Sequence, residues 1–317
     1  MKAFLAIAYG GPEVMTLGDI PEPVPRQGEV LVAVKASSVN PVDWKVRNGD
    51  VRFITGSRFP KVYGCDLAGL VHALGPGVTK FSINEPVYGY TRVMFGKQGA
   101  HAEMAAISVS RLHRMPDTVT FEQAAALPVA ALTALNGLRQ CGDLNGKSVI
   151  INGATGGVGH YALQIAKARG ALVTAVCSSR NSGRAKALGA DRVIDYRVRD
   201  FTREDMCYDL VFDAFGRIGF VAAARVLAPR GIYATTLPGP GLIIRAYLRK
   251  PFKGKHIIFA NLRDKPEDYE ALEQLVVARS VVPVIDKVFP LEQAAQAFAA
   301  QESGGTVGKV VIRIANP

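Results

Sequence analysis

"VIINGATGGVGHYALQIAKARGALVTAVCSSRN", residues Val149 to Asn181, decides the fold. The apolar run "SVIIN" stops at Gly153, and Gly156 and Gly159 follow at three-residue intervals. Apolar residues then recur at helical spacing through "HYALQIAKA" before a second apolar run, "LVTAVC". A strand, a glycine turn, a helix and a strand in succession make a βαβ unit. Glycines at such a turn let the backbone approach an anion with no Cβ in the way, and the N–H groups and positive pole of the helix face it. The same spacing also arises where a helix merely packs tightly on a strand. Here the full βαβ context favours a dinucleotide pyrophosphate, cradled by Gly153, Thr155, Gly156, Gly157, Val158 and Gly159.

The second apolar run ends in "CSSRN", with no carboxylate. NAD sites place an Asp or Glu there for the ribose 2′-hydroxyl, and an acid would repel a 2′-phosphate. Ser178, Ser179 and Arg180 offer two hydroxyls and a guanidinium instead, which predicts NADPH. Tyr196, closing "VIDY", either bonds the same phosphate, stacks near the adenine, or is a surface aromatic at a strand end.

Working outward, strands and helices keep alternating: "KSVIIN", "LVTAVC", "RVIDY", "YDLVFDAF" and "GIYATT" are separated by helical runs that include "SGRAKALG" and "GFVAAARVLA". Connections this short predict an α/β fold with a doubly wound parallel sheet, with "HIIFANL" as a sixth strand. Phe215, in "FDAFG", closes the fourth strand at the cofactor edge. Upstream, "TFEQAAALPVAALTALNGLRQ" is helical, capped by Thr120 and divided at Pro128. The first ~120 residues alternate in period two ("EVLVAVKASSVN", "EPVYGYT", "HAEMAAIS") between closely spaced Gly and Pro, as a strongly bent, barrel-like sheet requires. The tail adds the helices "PEDYEALEQLVVAR" and "LEQAAQAFAAQ" and the strands "VVPVIDKVF" and "GKVVIRI", which either extend the parallel sheet or return to the first domain.

With 317 residues, 49% hydrophobic and 21% charged, the chain is long enough for two cores. The N-terminus "MKAFLAIAYGGPEVM" lacks a secretory h-region, and no window nears the roughly 18 to 20 apolar residues of a membrane span. A cytoplasmic protein is expected. Four dispersed cysteines suggest reduced thiols, with no disulfide framework or cysteine-rich zinc site. The net charge of +11 favours anionic ligands, but its clusters are interrupted, and no dedicated nucleic-acid site is expected.

"GATGGVGHYALQIAK", "SSVNPVDWKVRNG", "FPKVYGCDLAG", "AAALPVAALTAL", "LGADRVIDY" and "VGKVVI" together resemble the medium-chain dehydrogenase/reductase superfamily, in its zinc-independent quinone oxidoreductase and alkenal/enone reductase branch. The resemblance implies a GroES-like β-rich catalytic domain, residues 1–122 and 266–317, with a Rossmann NADPH-binding domain, residues 123–265, inserted into it. Zinc relatives carry Cys where this chain has Asn40, and Gly-His-Glu where it has Gly64, Cys65 and Asp66. A catalytic zinc needs three good protein ligands, so no metal is expected. Without a Lewis acid, alcohol oxidation loses its means of activation, whereas a quinone or enone takes hydride directly. What the protein then supplies is stabilisation of the resulting oxyanion.

Asn40 and Asp43 match family positions lining the nicotinamide and substrate cleft, and Thr133 matches a threonine near the nicotinamide. Lys45 matches a lysine of the enone reductases, where its ammonium stabilises an enolate or relays a proton; a solvated surface charge is the alternative. Tyr63 is either a donor to the carbonyl or a structural tyrosine. The sequence therefore predicts an NADPH-dependent, zinc-independent reductase of quinones or α,β-unsaturated carbonyls, acting as a homodimer. An enoyl-thioester reductase, and a non-catalytic NADPH-binding protein engaging RNA or a membrane surface, are the alternatives.

Overall fold

The period-two runs of the first 114 residues fold as eight strands: β1 (Lys2–Ala6), β2 (Met15–Asp19), β3 (Glu29–Val39), β4 (Lys61–Val62), β5 (Asp66–Leu74), β6 (Pro86–Tyr90), β7 (Met104–Ser108) and β8 (Leu112–Arg114). The structure is a computed structural model describing residues 1–95, 98–237, 239, 241–242, 254–263 and 265–314. Short helices α1 (Pro41–Asn48) and α2 (Arg52–Thr55) interrupt the strands. β1 pairs with β2 and β4 in a three-stranded sheet, while β3 pairs with β5 along its length and with β7 over Glu29 to Ala33.

Thr120 caps α3 (Phe121–Ala125) in a reciprocal capping box with Gln123, and Pro128 opens α4 (Pro128–Arg139), so the expected helix is divided at the proline. Six parallel strands follow: β9 (Ser148–Asn152), β10 (Leu172–Cys177), β11 (Arg192–Asp195), β12 (Tyr208–Asp213), β13 (Leu227–Thr235) and β14 (His256–Phe259). Their order, β11-β10-β9-β12-β13-β14, is that of a doubly wound sheet whose winding reverses between β9 and β12. α5 (Gly159–Ala168), α6 (Ser182–Ala187) and α7 (Phe220–Ala223) lie between strands. α7 is shorter than "GFVAAARVLA" suggests. Pro229 disfavours helix at the residue before it, and the chain joins the sheet at Leu227 instead, passing Arg230 at a φ of 65°.

The tail resolves the choice the sequence leaves open. β16 (Lys309–Arg313) runs antiparallel to β3, with Val310 opposite Val39, and β15 (Ile285–Pro290) pairs parallel to β16. A seven-stranded sheet results, β15-β16-β3-β5-β6-β8 with β7 on β3. The chain thus forms two compact units, one of Met1–Val129, Asp264–Tyr269 and Pro283–Pro317, the other of Ala130–Arg263 and Glu270–Val282. In the first, Phe4, Val39, Tyr63, Phe298 and Ile312 share one apolar cluster and Val32, Leu67, Val87 and Ile107 another. In the second, Ile150, Val176, Val211, Phe220 and Tyr233 pack together. Among the described residues no helix is long and apolar enough to cross a membrane. Most of "LPGPGLIIRAYLRKPFKGKH", residues 237–256, lies outside the described residues.

Candidate active site

In the parallel-sheet unit the expected cofactor residues gather at the carboxyl ends of β9, β10, β11 and β12, where open α/β sheets bind ligands. Gly153 leaves β9 with a φ of 75°, and a Cβ on Gly159 would stand 1.9 Å from the Gly153 carbonyl oxygen. Only glycine permits this closure, which sets the N-terminus of α5 directly after the strand. The turn is tied by Gly156 N–H donating to Gly153 O and His160 N–H to Gly156 O. Among the described residues, the N–H groups of Thr155, Gly157 and Val158 take no protein partner, which fits a pyrophosphate cradle. His160 packs, fully buried, with Nδ1 2.9 Å from Gly156 O.

The "CSSRN" end is joined to this loop, since Asn181 Nδ2 donates to Thr155 Oγ1 at 3.3 Å. Ser178 is buried, while Ser179 and Arg180 are exposed on a short 3-10 turn. Tyr196 is 57% exposed just beyond β11. Its neighbour Asp195 accepts the Ser179 N–H at 3.0 Å and the Arg197 N–H at 2.9 Å. These backbone bonds hold its carboxyl below the usual carboxylate range. Asp195, which no sequence motif marks, is a carboxylate brought to the serine loop by the adjacent strand. Phe215 is 52% exposed, and its Cβ lies 3.3 Å from where a Gly153 Cβ would stand. Its loop is shaped by Asp213, which is fully buried and accepts from Asn152 Nδ2, Gly216 N–H, Ile218 N–H and the Tyr233 hydroxyl. Thr133 is buried on α4.

In the β-rich unit, "NPVDWK" opens α1. Asn40 is the N-cap, and Asp43 accepts its N–H at 2.8 Å. Asp43 also accepts the N–H groups of Gly64 and Cys65, at 3.2 and 3.0 Å. It is fully buried, and burial pushes its carboxyl up to about 7 against the pull of the Asn40 N–H. Burial, with the Asp43 and Asp66 charges, drives the Cys65 thiol well above its ordinary value. Asn40 and Asp43 are therefore brought together, with Asp43 fixing the backbone on both sides of the turn. Lys45 is half-buried one residue beyond Trp44, its Nζ 5.7 Å from that ring. Trp44 packs against the apolar cluster and donates to Gln301 Oε1. Tyr63 stands apart: it is 1% exposed, its ring packs in the same cluster, and its hydroxyl takes no partner among the described residues.

Asp66, compared above with a zinc ligand, completes this site together with Lys309, which no motif singles out. Asp66 accepts from Ser38 Oγ at 2.6 Å, Asn40 Nδ2 at 2.8 Å and Val129 N–H at 2.8 Å, and pairs at 3.4 Å with the buried Lys309. Lys309 Nζ also donates to Asn40 Oδ1 at 2.5 Å. The positions compared above with zinc ligands thus hold an amide and a carboxylate bridged by an ammonium. Among the described residues no three His, Cys, Asp or Glu side chains converge to hold a metal ion. A separate cavity of about 640 Å³, lined by Leu5, Val46, Arg58, Lys61, Tyr63 and Val93 among others, lies in the same unit.

Comparison with known proteins agrees with this geometry. Residues 26–117 match the alcohol dehydrogenase GroES-like domain, and residues 188–312 match the family model described as zinc-binding dehydrogenase. The chain is 33% identical to the chloroplast envelope quinone oxidoreductase homolog of Arabidopsis thaliana, over 98% of each chain. It is 32% identical to the chloroplastic NADPH-dependent alkenal/one oxidoreductase of the same plant, over 98% of this chain and 79% of that one. The solved quinone oxidoreductase of Coxiella burnetii superposes with a TM-score of 0.91 at 32% identity, covering 99% of each chain.

Proposed function

The chain belongs to the medium-chain dehydrogenase/reductase superfamily, in its quinone oxidoreductase branch, and from that premise we propose that it reduces quinones or α,β-unsaturated carbonyls with NADPH and without zinc. The observation that carries this proposal is the Asn40–Asp66–Lys309 cluster. A catalytic metal requires open, ligating side chains, and here the amide and the carboxylate are already satisfied by one another and by an ammonium. What this unit has to offer a substrate is hydrogen-bond donors and positive charge, which suit an acceptor that develops an oxyanion.

Bound NADPH would supply the hydride. The glycine loop would hold its pyrophosphate at the N-terminus of α5, with Ser178, Ser179 and Arg180 meeting the 2′-phosphate, Tyr196 at the adenosine end, and Phe215 and Thr133 completing the bed. When hydride reaches the β-carbon of an enone, the C=C electron pair moves toward the carbonyl and leaves an enolate, which a proton from water converts to the saturated ketone. A quinone takes hydride and proton to become the hydroquinone. Asn40 donates to the acceptor oxygen, Lys45 stabilises its charge or relays the proton, and Asp43 holds the segment that carries both. We take residues 1–122 and 266–317 to be the catalytic domain and 123–265 the NADPH domain, in a cytoplasmic homodimer.

Turnover of NADPH and NADH against quinones, short enals, long enones and enoyl thioesters tests this directly. Quinone or enone reduction with NADPH preferred, by protein carrying no stoichiometric zinc, is the expected result. Activity confined to enoyl thioesters, or silence across the panel, would overturn it.

A further inference from the structure

Lys309 is 3% exposed, at the start of β16 where that strand meets the end of β3. Burying an ammonium and a carboxylate rarely gains stability over apolar packing of the same shape, so the pair calls for a reason beyond folding. Its geometry supplies one. An asparagine amide is nearly symmetric in shape, and its oxygen and nitrogen exchange by a half-turn about one bond. Lys309 can only donate and ionised Asp66 can only accept. With Lys309 Nζ on Asn40 Oδ1 and Asp66 Oδ2 on Asn40 Nδ2, only one of the two amide orientations is satisfied; the flipped form sets NH₂ against ammonium and oxygen against carboxylate. The backbone of Asn40 is fixed as well, by Asp43. One amide hydrogen goes to Asp66, and the other takes no protein partner among the described residues.

We propose that Lys309 and Asp66 are positioning residues that lock the Asn40 amide in one orientation, so that its remaining N–H is presented in a fixed direction to the acceptor oxygen. This rests on the reductase proposal only in the identity of what Asn40 binds. The ammonium stays in place through turnover and contacts no substrate.

Single-turnover rates with one enone would be measured for Lys309→Met, Asn40→Ala and the double variant, alongside NADPH affinity. Lys309→Met should lower the rate about tenfold or more, with NADPH affinity within about threefold, and should cost nothing further in the Asn40→Ala background. Additive losses, or a wild-type rate in Lys309→Met, would overturn the proposal. Because Lys309→Met leaves Asp66 buried and unpaired, Asp66→Asn/Lys309→Met removes both charges together. It should remain folded and equally slow, and a wild-type rate in it counts against the lock. The Asn40 side-chain amide signals in an NMR spectrum report the lock without turnover. In the wild type the Asn40 hydrogen bonded to Asp66 should be protected from exchange, and in Lys309→Met that protection should be lost. Unchanged signals refute the positioning role, whereas a silent wild-type enzyme with a protected amide refutes only the substrate assignment.

Discussion

Arg180 is the only charged group among the three residues expected at the 2′-phosphate, so discrimination between the two nicotinamide cofactors should rest on it. Arg180→Ala should weaken NADPH by roughly 1.5 to 3 kcal/mol, the range of a charge-assisted hydrogen bond, and leave NADH nearly unchanged. Equal losses in a fluorescence titration would remove the assignment. The place of Arg180 could be read from the sequence because it follows directly after its strand. Asp195 could not, since its contact with Ser179 depends on the neighbouring strand's register. His101 was equally hidden. It is fully buried edge-on to Phe298, with neither ring nitrogen bonded among the described residues, and burial pushes it down to about 3. A histidine free in the unfolded chain titrates near 6.5. Between those values the unfolded chain binds one proton more than the folded one, so His101 contributes stability above about pH 6.5 that is lost progressively as pH falls toward 3. His101→Phe should therefore move the acid-unfolding midpoint to lower pH, with little change in stability at neutral pH. An acid midpoint that does not move would show the imidazole is already accommodated.

At the scale of elements, glycine spacing and period made β9, the turn and α5 legible, because their contacts are local in sequence. The loop's geometry separates it from Arg180. A Cβ at position 159 meets the Gly153 carbonyl, so Gly159→Ala must open the turn and spoil the pyrophosphate bed for either cofactor. NADPH and NADH affinity should both fall about tenfold or more, in the same titration that finds Arg180→Ala selective; a selective loss in Gly159→Ala would mean that the loop does not carry the pyrophosphate. α7 shows where pattern reading stops. Its apolar spacing suits a longer helix, but Pro229 and the pairing of Leu227 with Tyr208 draw those residues into β13. The Asn40, Asp66 and Lys309 cluster shows the same limit from the other side. "SVNPVD" and "GCDLAG" could be compared with zinc relatives, but nothing near them in sequence announces an ammonium from β16.

At the scale of the molecule, the tail is fastened to the first unit by charge as well as by strand pairing. Arg47, buried on α1, donates to Glu302 Oε1 at 2.6 Å and Oε2 at 3.1 Å, and through Nε to Gly10 O, across 255 residues of sequence in the first case. Glu302→Ala would leave that guanidinium without its carboxylate and should cost about 3 kcal/mol, read from the urea midpoint, less what water at the partly exposed Glu302 recovers. A midpoint within error of wild type would mean the tail is held by strand pairing alone. The pairing itself orders events during synthesis. β3 emerges early and meets β5 soon after, yet Val310, which pairs with Val39 on the other side of β3, is made only after the strands of the parallel sheet have been translated. On the ribosome the inserted unit is therefore complete while the enclosing one still lacks two strands and the Lys309 ammonium. Release of a truncated chain ending before β16 would yield a parallel-sheet unit with its strands made and an enclosing unit whose β3 keeps β5 on one side but has its other edge unpaired along its last residues, an exposed edge of the kind that chaperones and proteases recognise.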